Sequence, residues 1–478
     1  MDQLTTRTLP LVRAGVPVPS YDRTKVQTGV VHLGVGGFHR AHQALYLDRL
    51  LAEGDRQWGV CGVGVLPQDS RMRDVLRAQD GLYTVVEKHA DGSLHPRVVG
   101  SMVDYLLAPD DPDGVVERLA GDEVRVVSLT ITEGGYSTGT ASPVSAFSLL
   151  SQGLARRRKR GLPPFTVVSC DNVQSNGELA RRTLAAFARR DDPELGAWIE
   201  AEVSFPNSMV DRITPVTTDE DRQVVSGLLG VADGWPVVCE SFTQWVLEDR
   251  FPAGRPGLER VGVQLVPDVH PYELMKLRLL NGGHQALAYL GHLCGHSYVH
   301  EAAQDPLIAR FVRAYMDLEA SPTLDPVPGV DLDGYKRTLL ERFANTGIRD
   351  TLARICQDAS DRIPVFLLPV VRSRLSRGEP VTLAALVVAA WARYAEGSDE
   401  QGRPIDVVDR HAARLTAAAH EQRTDPLAFL RVREVFGDLA EQAAFGEAYV
   451  AALASLHERG ARATLERALR DVDAAAGS

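Results

Sequence analysis

Short apolar runs rich in β-branched residues alternate with amphipathic helical patterns over the first 268 residues, and this alternation constrains the fold more than any other feature. The runs lie at 29–34, 58–65, 83–87, 124–132, 165–169 and 236–239, with helical patterns such as 41–52 and 177–187 between them. Near-continuous apolar runs are typical of parallel strands buried on both faces. The sequence therefore predicts βαβ units in an α/β domain.

The pattern changes at Pro271, after which helical periodicities dominate. Pro271 suits the first position of a helix and Glu273 suits its first turn. We predict helices at 271–294, 301–319, 333–344, 349–357, 380–396, 408–420, 425–443 and 446–458. A chain of 478 residues is long enough for two domains. We therefore predict an α/β domain over 1–268, followed by a mostly α-helical domain over 269–478.

Charge and composition limit the classes of partner. The formal net charge is −11 and the pI is about 5.7, the opposite of the basic balance that attracts nucleic acid or anionic membranes. The N-terminus has no signal-peptide core, and the apolar runs are shorter than a membrane span, which predicts a cytoplasmic protein. The five cysteines form no CxxC or Cys/His pattern, so we expect neither a disulfide framework nor a structural zinc site.

The segment VVHLGVGGFHR, at 30–40, runs from a predicted strand through a glycine turn into a helix. Gly34, Gly36 and Gly37, followed by Phe38, allow a tight turn, and the N–H groups of the next helix can bind a pyrophosphate. The third glycine of the usual GxGxxG spacing is replaced by His39. The motif alone also fits a glycine-rich turn with no ligand.

The segment after the second predicted strand, GVGVLPQDSRMR, supplies a candidate carboxylate for a dinucleotide ribose. Asp69 lies farther from Gly34 than the ~20 residues of the usual fingerprint. Gln68 beside it is neutral, and Arg71 and Arg73 are close enough in sequence to meet a 2′-phosphate. We therefore prefer NAD and leave NADP open, and Asp69 is also compatible with a simple turn residue.

Three further segments place polar residues after apolar runs, where ligands bind in parallel α/β sheets. In SLTITEGGY a predicted strand ends at Thr132 and Glu133. In TVVSCDNVQSNG a predicted strand is followed by Asp171 and Asn172. FPNSMVDRITP carries Asn207, Asp211 and Arg212. Turn formation alone also explains Asn, Asp and Gly at such positions.

The stretch KLRLLNGGHQALAYLG, at 276–291, combines an apolar helical surface with several polar groups. With Lys276 at zero, Glu273 lies at about 60°, His284 at about 80° and Asn281 at about 140° around an α-helix. An amine in a partly desolvated cleft has a pKa below its usual value of about 10.4 and can accept a proton near neutral pH. An Asn amide can donate to a developing alkoxide or carbonyl oxygen. With a nicotinamide, this set of groups would oxidise a secondary alcohol without a metal.

These segments together resemble the polyol-specific long-chain dehydrogenase/reductase family, and the resemblance covers almost the whole chain. It implies a Rossmann-type domain plus a helical domain with the active site between them, no metal, and a monomer. It implies oxidation of D-mannitol to D-fructose, or of D-arabinitol to D-xylulose, with NAD. The segments that carry it include GVVHLGVGGFHRAHQALYLD, SCDNVQSNG, SFPNSMVDRITP and PYELMKLRLLNGGHQALAYLG.

The resemblance also implies residue roles. Lys276 matches the general base, and Asn172 and Asn281 match the pair that holds the reacting oxygen. His284 and Asp211 match substrate-positioning groups, and Glu273 matches a gate on a proton path. Arg354 matches a substrate-hydroxyl contact, with Arg362 near it. The cofactor positions are Gly34, Gly36, Gly37, Phe38, Gln68, Asp69, Thr132 and Glu133.

Three positions depart from the family pattern. Arg362 stands where mannitol-oxidising members carry Lys, Gln68 replaces an acidic residue, and Ser241 replaces a proline. Because Arg362 could bind a carboxylate, a hexuronate reductase such as fructuronate reductase remains an alternative. A catalytically silent sugar or nucleotide sensor is a further alternative, but it would be expected to have lost Lys276.

Overall fold

The computed structural model describes residues 1–136 and 144–476. The chain divides into two compact units, Met1–His270 and Pro271–Ser478. The first unit is an α/β structure and the second is helical, so the predicted fold class is confirmed.

The N-terminal unit is built on a five-stranded sheet in which all neighbouring pairs are parallel. Its order is β5-β2-β1-β6-β7, which matches the first five positions of the Rossmann strand order 3-2-1-4-5-6. Two three-stranded sheets, β4-β3-β9 and β11-β10-β8, accompany it. The strands are β1 (Thr28–Leu33), β2 (Gly59–Gly64), β3 (Tyr83–Lys88), β4 (Leu94–Val99), β5 (Met102–Leu107), β6 (Val126–Leu129), β7 (Thr166–Ser169), β8 (Ser208–Asp211), β9 (Val237–Glu240), β10 (Gln244–Glu248) and β11 (Gln264–Val266).

Eight α-helices accompany these strands. They are α1 (Gly37–Ala41), α2 (Gln43–Ala52), α3 (Ser70–Ala78), α4 (Pro112–Leu119), α5 (Ala146–Lys159), α6 (Asn176–Asp191), α7 (Pro193–Glu202) and α8 (Asp219–Leu229). Strand β1 is buried on both faces: Val31 and Leu33 belong to one apolar cluster and Val30 to another. This double burial explains why its sequence shows a continuous apolar run rather than an alternation.

The C-terminal unit contains twelve described α-helices and two π-helices. The α-helices are α9 (His270–Met275), α10 (Gly282–Leu293), α11 (Val299–Gln304), α12 (Pro306–Tyr315), α13 (Leu332–Phe343), α14 (Leu352–Cys356), α15 (Ala359–Phe366), α16 (Leu368–Ser376), α17 (Thr382–Ala395), α18 (Ala412–Glu421), α19 (Arg433–Phe436) and α20 (Ala443–Ala476). The π-helices span Lys276–Asn281 and Met316–Ala320. Helix α20 is kinked at Gly460, where φ is +79°.

The predicted helices 301–319 and 425–443 are interrupted in the structure. The predicted helix 301–319 is interrupted at Asp305, whose carboxylate accepts from the Leu307 N–H and starts α12 with Pro306 at its first position. The predicted helix 425–443 is wrong: only α19 and two short 3₁₀ turns form there. Gly437, with φ of +63°, ends α19.

The second π-helix helps to fix the central helix α17. Glu319 is buried and accepts hydrogen bonds from the N–H groups of Leu383 (2.7 Å) and Ala384 (2.8 Å) in the first turn of α17. Burial raises the pKa of Glu319 to about 7, and the two N–H donors oppose that rise. A distant carboxylate thus caps a helix whose own N-cap, Val381, has no side-chain acceptor.

Three further observations concern possible metals, disulfides and membranes. Within 1–136 and 144–476, no group of three or more His, Cys, Asp or Glu side chains is placed to hold a metal ion. All five cysteines are free thiols. None of the helices described is both long and apolar enough to span a bilayer.

Candidate active site

The glycine turn lies at the carboxyl end of β1, beside the carboxyl end of β6. Gly34 takes φ of +89°, and a Cβ there would lie 2.2 Å from the Thr130 carbonyl oxygen, so only glycine fits. Gly36 faces open space, since a Cβ there would meet only the Gly34 carbonyl oxygen at 3.9 Å. Gly36 is the N-cap of α1, whose first-turn N–H groups lack helical partners. The turn therefore leaves room for a ligand next to the free backbone N–H groups of α1.

The next three residues of the segment have different roles. A Cβ on Gly37 would make only ordinary contacts, at 3.6 Å, with side chains of Thr214 and Val237. Phe38 is partly buried and stacks on His42, with ring centroids 4.9 Å apart. His39, in place of the third glycine, is fully buried and stacks on His32 at 3.4 Å. This aromatic stack replaces the close helix–strand contact that a third glycine normally allows.

Asp69 follows β2 and closes a turn of its own. Its Oδ2 atom accepts from the N–H groups of Val65 and Leu66, both at 2.9 Å. Its side chain also packs on β2, since a Cβ on Gly64 would lie 2.7 Å from the Asp69 Cβ. The turn role that the sequence left open is therefore present. Gln68 is exposed beside it.

The arginines near Asp69 are already engaged. Arg73 forms ion pairs with Asp74 and Asp110. Arg71 lies over the Trp235 ring, with its guanidinium carbon 5.0 Å from the ring centroid. Neither arginine therefore stands as an unengaged cation beside the candidate ribose carboxylate.

Residues after β6 and β7 are held together by Asp171. This buried carboxylate accepts from the Thr132 N–H (2.8 Å) and the Tyr136 hydroxyl (2.7 Å). Thr132 has φ of +60°, and a β-branched residue in the left-handed region is rare and marks local strain. Asn172, the predicted oxygen-binding residue, is exposed. The Glu133 side chain lies outside what the structure describes.

The segment around β8 divides into structural residues and one buried carboxylate. Asn207 Oδ1 accepts from the N–H groups of Gly177 and Glu178, at 3.0 and 3.3 Å, so Asn207 caps α6. Arg212 has a fully buried side chain that donates to the Glu240 carbonyl and pairs with Glu87 at 2.5 Å. Asp211 is the buried last residue of β8. It is the member of this segment that stays a candidate for substrate binding.

The first π-helix contains both Lys276 and Asn281. In a π-helix the backbone hydrogen bond spans five residues, so residues five apart lie nearly above one another. Asn281 is therefore closer to Lys276 around the helix axis than the about 140° of a regular α-helix. His284 follows three residues later in α10, on the same side. The expected continuous α-helix was wrong here, and the deviation aligns the polar residues better.

The four polar residues of this helix are enclosed. Glu273, Lys276 and Asn281 are each 8% exposed, and His284 is half-buried against Phe343, with ring centroids 4.1 Å apart. Within the described part of the C-terminal unit, no residue hydrogen-bonds the Asn281 amide. Buried ionisable and amide groups on one helical surface, at a π-helical irregularity, are characteristic of functional sites.

The glycine pair after Asn281 serves packing within the C-terminal unit. The glycine pair in the sequence suggests close approach of substrate or backbone at Gly282 and Gly283. In the structure, the Tyr315 hydroxyl lies 2.9 Å from a Cβ on Gly282, and the Met316 Cε lies 2.6 Å from a Cβ on Gly283. A backbone atom, the Phe366 carbonyl oxygen, is farther from Gly282, at 3.4 Å. The closest approach is therefore by the side chains of these two residues.

Arg354 and Arg362 lie together. The Arg354 guanidinium forms a two-point ion pair with Asp350, which raises its pKa. Arg362 Nη1 donates to the carbonyl oxygens of Arg354 (3.2 Å) and Ile355 (3.1 Å). The sequence analysis did not identify Asp350 as the partner of Arg354, although oppositely charged residues four apart often pair on a helix.

Comparisons with known proteins agree with this architecture. The profile of the mannitol dehydrogenase Rossmann domain matches residues 28–260, and that of the mannitol dehydrogenase C-terminal domain matches residues 268–457. The chain belongs to the mannitol dehydrogenase family. Mannitol 2-dehydrogenase of Phaeosphaeria nodorum is 45% identical over 474 residues, which cover 94% of this chain and 83% of that protein. Mannitol dehydrogenase 2 of Saccharomyces cerevisiae is 42% identical and covers 98% of both chains.

Solved structures of mannitol dehydrogenase relatives superpose over nearly the full chain. Pseudomonas fluorescens mannitol 2-dehydrogenase, in a ternary complex with NAD and D-mannitol, matches with a TM-score of 0.88 and 43% identity, covering 98% of this chain and 99% of that one. A D-sorbitol dehydrogenase in substrate-free form matches with a TM-score of 0.89 and 33% identity, covering 97% and 100%.

Proposed function

We propose that this protein is an NAD-dependent polyol dehydrogenase that oxidises a secondary alcohol of D-mannitol, or of D-arabinitol, to D-fructose or D-xylulose. The observation that carries the proposal is the 43% identity, over nearly the whole chain, to a mannitol 2-dehydrogenase whose structure holds NAD and D-mannitol. The grouping of Lys276, Asn281 and His284 on one helical surface supports it.

The proposed cofactor site uses residues 1–268. The turn at Gly34, Gly36, Gly37 and Phe38 fits a pyrophosphate, because Gly36 leaves open space above the N–H groups of α1. Asp69 fits the ribose hydroxyls through the carboxylate oxygen that its turn leaves unused. The engagement of Arg71 and Arg73 favours NAD over NADP, and Gln68, Thr132 and Glu133 complete the proposed site.

The proposed chemistry uses residues of both units, with 269–478 as the catalytic domain. Lys276 takes the hydroxyl proton on Nζ as the carbonyl forms, and a bound nicotinamide would supply the hydride acceptor. Asn172 and Asn281 donate to the reacting oxygen, where charge develops. His284 and Asp211 position the substrate, Glu273 passes the proton onward, and Arg354 and Arg362 contact further hydroxyls.

The similarity to relatives named for mannitol and sorbitol favours a polyol over a hexuronate as the substrate. A uronate carboxylate requires a cation whose charge is not already paired. Arg354 is paired with Asp350, but Arg362 forms no ion pair with the described residues and its Nη1 donates to two carbonyl oxygens, so Arg362 could bind such a carboxylate. We therefore keep fructuronate reduction as the competing outcome of the test.

We also propose that the enzyme is a cytoplasmic monomer without membrane or nucleic-acid partners. Sedimentation of the purified chain would test its oligomeric state.

Initial rates, followed by the absorbance of the reduced nicotinamide, test this function. NAD⁺ or NADP⁺ is supplied with mannitol, arabinitol and sorbitol, and NADH with fructose and fructuronate. We expect turnover of mannitol or arabinitol with NAD⁺ and a preference over NADP⁺. Activity with fructuronate alone would move the assignment to uronate reduction. NADH binding without turnover of any substrate would favour a sensor.

Lys276→Ala isolates the proposed base. Removing a general base typically costs about 10²–10⁴ in rate, so we expect a kcat/KM loss of that order and loss of the rising limb of its pH profile. Lys276→Arg keeps the charge but cannot act as a base, so it should be equally impaired. Lys336, which is also 8% exposed in the same unit and pairs with Asp317, gives a matched control. Lys336→Ala should lower stability but retain kcat, and wild-type rates in Lys276→Ala would refute the mechanism.

A further inference from the structure

A cavity of about 380 Å³ lies within the N-terminal unit, between α2 and the antiparallel pair of β3 and β4. Its floor comes from paired residues on one face of that sheet: Val85 opposite Arg97, and Glu87 opposite His95. Leu45 and Arg49 of α2 form a wall. Gly15 and Pro17 lie at a further side, where the Pro17 carbonyl accepts from the Val98 N–H at 2.9 Å.

Two guanidinium groups line this cavity without a directly paired carboxylate. Neither Arg49 nor Arg97 forms a side-chain hydrogen bond or an ion pair with any residue in 1–136 or 144–270. Arg49 makes a distant cation–π contact, because its guanidinium carbon lies over the Tyr46 ring at 5.8 Å from the ring centroid. Both side chains are half-buried, so they lack the full hydration that normally stabilises an isolated cation.

The carboxylates near the cavity are already committed. Glu87, which lines it, pairs with the fully buried side chain of Arg212 at 2.5 Å. Asp48, behind the wall, accepts from the Tyr21 hydroxyl (2.6 Å) and the Gly100 N–H (2.8 Å). Burial lowers the pKa of Arg49, Glu87 opposes this, and the cations of Arg97 and Arg212 lower it further. The cavity thus concentrates positive charge that the nearby carboxylates neutralise only in part.

We propose that this cavity binds the phosphate group of a small phosphorylated metabolite. Guanidinium groups match phosphate oxygens with paired N–H donors. Two guanidinium groups match a phosphate dianion better than they match a singly charged carboxylate. His95, also on the lining, supplies a further donor. The volume lies in the range of small-molecule sites and is far larger than a phosphate ion needs, which favours a phosphate monoester over free phosphate.

The site is separate from the proposed catalytic machinery, in which Arg49 and Arg97 have no role. Arg49 lies in the second half of α2, whereas the proposed pyrophosphate site precedes α1. The ligand would therefore bind together with NADH, and this property distinguishes the proposal from phosphate binding at the glycine turn.

Isothermal titration of the full chain, saturated with NADH, tests the proposal with three probes. These are glucose 6-phosphate, inorganic phosphate and glucose. We expect one equivalent of glucose 6-phosphate to bind, inorganic phosphate to bind more weakly and glucose not to bind at this site. Tighter binding of inorganic phosphate would identify a free-phosphate site. Absence of binding by both phosphates would overturn the proposal.

Arg49→Gln and Arg97→Gln locate the site. Losing a hydrogen bond to a charged group should weaken phosphate binding at least about tenfold in each. Arg56→Gln, at an exposed arginine of the same unit, is the matched control and should bind normally. Because Arg49 and Arg97 repel each other, both variants should melt at or above the wild-type temperature without ligand and lose the phosphate-induced rise. Oxidation rates without phosphate should stay unchanged. Equal binding in Arg97→Gln and wild type would refute the assignment.

Discussion

His32 and His39 are fully buried and stacked in the N-terminal unit, and their burial couples stability to pH. Burial lowers the pKa of His32 to about 3, and burial with the neighbouring His32 and Arg40 lowers the pKa of His39 well below its usual value. His32 bonds to the hydroxyls of Ser128 and Thr130, at 2.8 and 2.9 Å. Neither ring nitrogen of His39 has a partner among the described residues. Both rings are thus neutral in the folded state.

This arrangement predicts acid sensitivity with a defined sign. Below pH 6.5 the unfolded chain takes up protons on these histidines, while His32 in the folded chain does so only near pH 3. Stability should therefore fall as pH decreases from 6.5 toward 3, by up to about 1.4 kcal/mol per pH unit for each histidine. His39→Phe keeps an aromatic ring over His32 but removes one titrating group. The free energy of unfolding, measured with urea at several pH values, should depend less steeply on pH in the variant than in the wild type. Equal pH dependence in the two proteins would contradict the prediction.

At the residue scale, the sequence identified chemically distinctive side chains better than their local partners. Lys276, Asn281 and His284 could be selected because polar residues are unusual in an apolar helix. Asn207 and Arg212 could not be separated from Asp211 in the same way. The cap that Asn207 gives α6 and the contacts of Arg212 with Glu240 and Glu87 come from residues distant in sequence. Local patterns carry no record of such contacts.

At the scale of elements, the π-helix is the main feature that periodicity could not reveal. The sequence predicted one helix over 271–294, and the structure has α9, a π-helix and α10 in that range. The register change lies next to the glycine pair, where side chains of α12 and the second π-helix approach closely, and such tertiary packing is absent from the periodicity of the sequence. The strands β4, β5, β8, β10 and β11 were missed for a related reason, since their pairing rather than their composition defines them.

The contact between Gly282 and Tyr315 predicts a coupled effect on stability. Gly282 has helical backbone angles, φ −61° and ψ −40°, so alanine there would gain about 1 kcal/mol of helix propensity. Its Cβ would, however, lie 2.9 Å from the Tyr315 hydroxyl of a fully buried ring. Overpacking of this kind costs about 1–3 kcal/mol, so Gly282→Ala should be destabilising on balance.

A second substitution separates this clash from other causes. The Tyr315 hydroxyl has no hydrogen-bond partner in the described structure, so Tyr315→Phe alone should not lower stability. Combined with Gly282→Ala, it removes the clashing atom and should restore or exceed wild-type stability in urea unfolding. Gly283→Ala is the matched control, because the closest neighbour of its Cβ would be the flexible end of Met316, with Phe343 and Val312 at ordinary contact distances of 3.5 and 3.7 Å. Additive effects of Gly282→Ala and Tyr315→Phe would show that the hydroxyl is not the cause.

At the scale of the whole molecule, the change of periodicity near Pro271 was the most informative signal. Each of the five apolar clusters draws its residues from one unit: four contain residues between 4 and 265, and one contains residues from 275 onward. The periodicity of apolar residues predicts such burial well, because burial depends on which residues are apolar rather than on their exact partners. The functions assigned to 1–268 and 269–478 remain proposals that need a direct test.

Separate expression of residues 1–270 provides that test. The fragment contains its own parallel sheet, four apolar clusters and the proposed cofactor residues from Gly34 to Thr132, so it should fold by itself and unfold cooperatively. Because the nucleotide contacts are assigned to this unit, it should bind NADH with an affinity similar to that of the full chain, measured by nicotinamide fluorescence. It should not oxidise mannitol, because Lys276 is absent. A folded fragment that fails to bind NADH, while the full chain binds it, would show that the cofactor site requires residues beyond 270.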